Sequence, residues 1–321
     1  MRLMFLLILV PSLVMAQIPH TFNNGDIADA DKINENFESL RKLLAEKLRL
    51  GDRFEIDCSI DAQALINAIN AGHTRITVLA GTCDLTAEGI DLSGRELNIL
   101  GVSSNDTKPV LDMGASRFNS TASEIVLTNL AIRGGVRSAV GFLAMGAVDI
   151  DCSSMANPSA HGIWIYGSQA YFTTSTLTGC GGMQVGFNGS IYVADSQINV
   201  ADGALGGINT FQGGYVWSER TVWQSSNGLL MNVGSGTGVS MFFTNEATLS
   251  GDIKLDFGGQ LVVSAPGDGG FCPVPEPQWA GTITMGFSSL LNWPARCGSS
   301  YPVTCKDGLA STPYSEGLTC R

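Results

Sequence analysis

Thr173-Thr174-Ser175-Thr176-Leu177 and Ala194-Asp195-Ser196-Gln197-Ile198 decide how this chain is read. In each, a polar or small group is followed by one branched or long apolar residue. Working outward, blocks of the same kind occur at Thr128-Asn129-Leu130-Ala131-Ile132 and Asp151-Cys152-Ser153-Ser154-Met155 on one side. On the other side they occur at Ser218-Glu219-Arg220-Thr221-Val222 and Asn245-Glu246-Ala247-Thr248-Leu249. The successive spacings are 23, 22, 21, 24 and 27 residues. Gly167, Gly189, Gly214, Gly236 and Gly258 mark the same period, and the strands before them alternate, as in Ile163-Trp164-Ile165-Tyr166 and Ile253-Lys254-Leu255-Asp256. Short alternating strands with Gly turns at this period, without helical periodicity, signal stacked solenoid coils. A coil of about 22 residues suits three strands, with equivalent positions ~4.8 Å apart in neighbouring coils. The fold class expected is therefore all-β: a right-handed parallel β-helix of about eight to ten coils, with a short N-terminal helix and a disulfide-rich C-terminal cap.

The flanks divide the chain into four. Arg2, the apolar run Leu3 to Val10, the break at Pro11-Ser12 and Val14-Met15-Ala16 read as a secretory signal over 1–16, cut after Ala16. The expected location is secreted or extracytoplasmic, with no integral membrane anchor, since the run is short for a span. Residues 17–50 form a helical segment. Ile33, Phe37, Leu40 and Leu44 have coiled-coil spacing, acids at Asp29 and Asp31 suit a helix start, and Lys42 and Lys47 suit its end. Such a short helix needs a packing partner. A homotrimer and docking onto the body are the two expectations. Residues 51–266 are the β-helix, and 267–321, which hold half the cysteines, are the cap. Capping covers strand edges that would otherwise invite association.

Composition narrows the function. The chain is 44% hydrophobic and 15% charged, with 39 Gly against 11 Pro, so it packs rather than staying disordered. A net charge of −11 argues against nucleic acid or an anionic membrane as partner. The eight cysteines, Cys58, Cys83, Cys152, Cys180, Cys272, Cys297, Cys305 and Cys320, are even in number in an exported chain and are expected in disulfides. Cys58 and Cys83 flank a short amphipathic helix near Asp61 to Ala71 and are the first pairing expected. Cys272 with Cys297 and Cys305 with Cys320 are the simplest others. Zinc is disfavoured, because no CxxC pair exists and His20, His73 and His161 are scattered.

Two resemblances sit on quoted residues. Thr21-Phe22, Asn24-Gly25, Ala28-Asp29-Ala30 and Ile33-Asn34-Glu35-Asn36-Phe37 resemble a leader of bacterial exported and phage tail-like proteins. That likeness implies a fibre or β-helix body behind it, often trimeric. Ala62-Gln63-Ala64-Leu65, Ala68-Ile69, Gly72, Ile76-Thr77-Val78, Ala80-Gly81-Thr82 and Leu97-Asn98-Ile99-Leu100-Gly101 resemble the opening of pectate-lyase-like right-handed β-helix proteins. That likeness implies a helix capping the first coil. The family's lyase motifs Trp-Ile-Asp-His and Arg-Xaa-Pro-Xaa-Xaa-Arg are missing, as are the polygalacturonase motifs, so no catalytic role carries over.

Two residue sets remain as candidate sites. Asp195, Glu219 and Glu246 occupy the second block position in three successive coils, with Arg220 beside them. Stacked carboxylates repel unless a cation bridges them or one is protonated. They are either a Ca²⁺ or catalytic-acid row or a solvated turn. Trp164, Tyr166, Tyr192, Tyr215, Trp217 and Trp223 fall in three consecutive coils. If Ile163, Ile165 and Val216 point inward, Trp164, Tyr166, Tyr215 and Trp217 point outward, as platforms for sugar rings or for a second subunit. The expected function is a non-catalytic cell-surface or glycan-interaction module with a polysaccharide partner. The alternative is a divergent polysaccharide lyase or glycoside hydrolase. No cofactor is required, and Ca²⁺ is the candidate ion.

Overall fold

The computed structural model describes residues 53–86, 92–104, 106–155, 161–201, 207–234, 240–243, 248–256, 259–263, 278–287, 289–292, 303–305, 311–314 and 317–320. The signal, the helical segment at 17–50 and most of the cap lie outside them. The body is a parallel β-solenoid of about eight turns, with coils of about 23 residues.

Each coil lays strands on three faces, here called A, B and C. Face A stacks Glu96–Gly101, Glu124–Thr128, Phe142–Gly146, Gln169–Thr173, Ser190–Ala194 and Tyr215–Glu219 in parallel. Faces B and C share strands long enough to turn the edge between them, such as Ala131–Ala139 and Val222–Val233. Period-two alternation sends one residue set inward on each face. Ile125, Leu143, Ala170, Ile191 and Val216 form one inner column on face A. Leu111, Ile132, Ile150, Leu177, Ile198, Trp223 and Leu249 form one on face B. Val136, Ile163, Met183, Ile208, Met231 and Ile253 form one on face C. All are at most 2% exposed and belong to one continuous core.

The A–B corner is uniform through five central coils. Asn129, Ala147, Thr174, Asp195 and Arg220 each take positive φ, between 45° and 53°. A non-glycine residue there is uncommon, and its recurrence marks a two-residue turn built alike in these five coils. The following residue turns inward. Where it is polar, as at Ser175, Ser196 and Thr221, its hydroxyl donates to the carbonyl two residues back. Ser175 Oγ also accepts from the Val148 amide of the coil before.

This register corrects two blocks of the sequence pattern. Gly146 and Glu219, not Asp151 and Ser218, pair into the line of Thr128, Thr173 and Ala194. The core residues Ile125, Leu143, Ala170, Ile191 and Val216 are 18, 27, 21 and 25 residues apart. Coil lengths vary more than the block spacings imply.

The first coil is closed as expected. Helix Ala64–Asn70 buries Leu65, Ile66, Ala68 and Ile69 and ends before Gly72, whose φ of 90° stops it. Cys58 and Cys83 are disulfide-bonded. Cys152 and Cys180 are a correction: they are free thiols, buried and hydrogen-bonded to each other. Cys305 is disulfide-bonded. Cys272, Cys297 and the Cys320 side chain lie outside the described residues. At the far end, strand Gly317–Cys320 pairs antiparallel with Leu290–Asn292 and with Ser311–Tyr314. That hairpin ends the parallel stack of face A, a covering the open edge needs.

Candidate functional site

Face A carries an aromatic ladder on its outer side. Ala170 and Phe172 point inward, which turns Tyr171 out. Ile191 and Val193 do the same for Tyr192, and Val216 for Tyr215 and Trp217. Register places Tyr171, Tyr192 and Trp217 in one column, one per coil. Their ring centroids are 6.0 and 6.3 Å apart, and Phe142 adds a ring 5.6 Å from Tyr171. Tyr171 is 43% and Trp217 39% exposed. The neighbouring column holds Gln169, Ser190 and Tyr215. Between the two columns runs an open groove of about 250 Å³.

The acidic candidates lie at one end of these strands. Asp195 and Glu219 do not stack in the expected carboxylate row. Glu219 pairs with Ala194, so it stands one position away from the Asp195 column, and Asp195 instead lies beneath Arg220. Arg220 Nε donates to Asp195 Oδ1 at 2.6 Å and Nη2 to Oδ2 at 2.8 Å, while Nη2 lies 3.0 Å from Glu219 Oε1. The Arg220 hydrogen bonds hold the Asp195 carboxyl below the usual carboxylate range. The Tyr192 hydroxyl donates to Glu219 Oε1. Burial first, and Glu219 second, push Tyr192 up to about 12. One guanidinium therefore answers both carboxylates. Glu246 lies outside the described residues. Among the described residues, no group of three or more His, Cys, Asp or Glu side chains is placed to hold a metal ion.

The remaining aromatic candidates separate. Trp164 and Tyr166 do point outward, but on face C. There Arg117 lies over the Trp164 ring, 4.5 Å from its centroid, and Arg137 lies 6.0 Å from Trp164 and 5.9 Å from Tyr166. The Tyr166 hydroxyl donates to Gln184 Oε1 at 2.5 Å. Trp223 is a correction. It is fully buried in the face B column, and its indole N–H donates to Ser218 Oγ at 2.9 Å.

Sequence reading missed Tyr171, Phe142 and Gln169 on face A and both arginines on face C. The signal for Tyr171 was present in Ala170-Tyr171-Phe172, but either aromatic could face inward until the register was known. Among the described residues, no helix is long and apolar enough to cross a membrane. No protein-family model, curated protein or solved structure matches this chain.

Proposed function

We propose that this chain is an exported, non-catalytic interaction module that holds a glycan along the face A ladder. The observation that carries this reading is the Tyr171–Tyr192–Trp217 column beside a groove edged by Gln169, Ser190 and Tyr215. Aromatic faces take the apolar side of a sugar ring, while amide and hydroxyl groups beside them meet its hydroxyls. One platform per coil suits a linear polymer of repeating rings. The pairing of Arg220 with both Asp195 and Glu219 supports binding over hydrolysis, because one guanidinium already engages both acids. Export rests on the signal-like sequence at 1–16, and a trimer on the coiled-coil spacing of Ile33, Phe37, Leu40 and Leu44.

Affinity electrophoresis against neutral and acidic polysaccharides, with reducing ends and unsaturated products followed in parallel, tests the proposal. Retardation without product is the expected result. Trp217→Ala and Tyr171→Ala should each weaken binding by about tenfold, on the scale of about 1–2 kcal/mol for an aromatic contact. Product release that Glu219→Gln abolishes would establish the lyase or hydrolase reading instead. Retained binding in the Tyr171→Ala/Trp217→Ala double variant would remove the ladder from the site.

A further inference from the structure

Some of the described cations of this acidic chain are matched by carboxylates. Lys108, Arg133, Arg220 and Lys254 each sit within 3.4 Å of a carboxylate. Arg53 and Arg95 reach backbone carbonyls instead, whereas Arg117 and Arg137 share one aromatic ring. They occupy neighbouring coils of face C, where Arg117 pairs with Gly135 and Asn119 with Arg137. Neither forms a salt bridge among the described residues. Two guanidiniums thus lie against one indole ring with no carboxylate paired to either among the described residues, although the chain carries 29 acids against 18 Lys and Arg.

Arg117 is held there by construction. A Cβ at Gly135 would come 2.9 Å from Arg117 Cγ and 3.2 Å from its Nε, so the bare glycine lets the side chain lie flat across the sheet. Arg117 Nη2 donates to the His161 carbonyl at 3.3 Å, and the Trp164 indole donates to the same oxygen at 2.8 Å. Arg117 Nε is buried with no hydrogen-bond partner. Burial, along with the charge of Arg137, pulls the Arg117 guanidinium below its ordinary value. Arg137 stands exposed at the rim, and the Gln184 amide follows Trp164 in the next coil.

We infer that Arg117, Arg137 and Trp164 form an oxyanion-binding site on face C, separate from the aromatic ladder of face A. Its ligand carries a carboxylate, sulfate or phosphate group. Arg137 meets this group with its guanidinium fork, and Arg117 supplies fixed positive charge beneath it. The Tyr166 and Gln184 side chains border the place where the rest of the ligand lies.

Calorimetric titration of the full chain with sodium sulfate, inorganic phosphate, a hexuronate and the matching neutral hexose tests this, with chloride holding ionic strength constant. At least one oxyanion saturates a single site, and the hexose gives no heat that depends on Arg137. The arm that saturates identifies the group. Arg137→Ala weakens that binding about 10- to 100-fold, the scale of a charge-assisted hydrogen bond. Arg117→Met, which keeps the packing on Trp164, weakens it similarly. Trp217→Ala leaves it unchanged, which separates this site from the glycan ladder. Near-ultraviolet circular dichroism checks that each variant is folded, and Arg137→Lys serves if the alanine variant is not. Absence of saturation by all three oxyanions, or unchanged affinity in the Arg137 variants, overturns the assignment.

Discussion

His161 is 2% exposed, and its Nδ1 contacts the Gly181 carbonyl at 3.0 Å while Nε2 is buried with no partner. Burial lowers its pKa to about 4. Unfolded, the same ring binds a proton near pH 6.5. The unfolded state therefore holds more protons between these values, and stability falls as pH drops from about 6.5 to about 4. The loss from this one group reaches at most about 3 kcal/mol. Urea midpoints at pH 7 and 4.5 should differ less in His161→Gln than in the parent chain. Val140 is strained in another way, a β-branched residue at φ 50° that is 62% exposed. Asn tolerates that conformation better, so Val140→Asn should raise stability by about 0.5–1 kcal/mol, read from the denaturation midpoint. At this scale the sequence was legible only where alternation was unambiguous. Trp164, Tyr215 and Trp217 were placed outward correctly because Ile163, Ile165 and Val216 flank them. Trp223 was misplaced because the Glu219 block slips by one residue, and such a slip exchanges the two faces of a strand.

The disulfide Cys58–Cys83 closes 25 residues around the capping helix. Removing it as the double serine variant should cost about 2–4 kcal/mol in the first coil. Native-state hydrogen exchange would show protection lost first in strands Phe54–Cys58 and Arg75–Asp84. Cys152 and Cys180 behave oppositely. Both are fully buried, and the hydrogen-bonded Cys180 sulfur together with burial pushes the Cys152 thiol up. A thiol reagent should label both only after unfolding, as peptide mapping by mass spectrometry would show. The elements themselves were legible. The capping helix, the Gly that ends it, the first disulfide and the three-strand coil all follow from local residue patterns that packing reinforces. Coil registration was not, because a recurring polar block resembles any other turn until hydrogen bonding fixes which turn it is.

As a whole, the molecule presents two outer surfaces of different chemistry, an aromatic ladder on face A and an arginine–tryptophan cluster on face C. Sequence showed the aromatics as one set, because neighbouring faces are only three residues apart along the chain, as from Tyr166 to Gln169. Only the folded coil reveals that they look in different directions. The A–B corner of the central coils has a consequence for how this chain can change. From Thr128 to Ala131, Gly146 to Asp149, Thr173 to Thr176, Ala194 to Gln197 and Glu219 to Val222, the step is three residues, whereas it is nine from Gly101 to Val110 and five from Phe243 to Thr248. The step from face B to face C runs instead from Asp151 to Ile163 in one coil and from Cys180 to Met183 in the next. Within the five central coils, extra sequence enters along the B–C edge and not along the A–B edge. A lineage, or an engineer, could therefore lengthen the B–C edge and reshape what borders the arginine cluster while the aromatic ladder keeps its spacing.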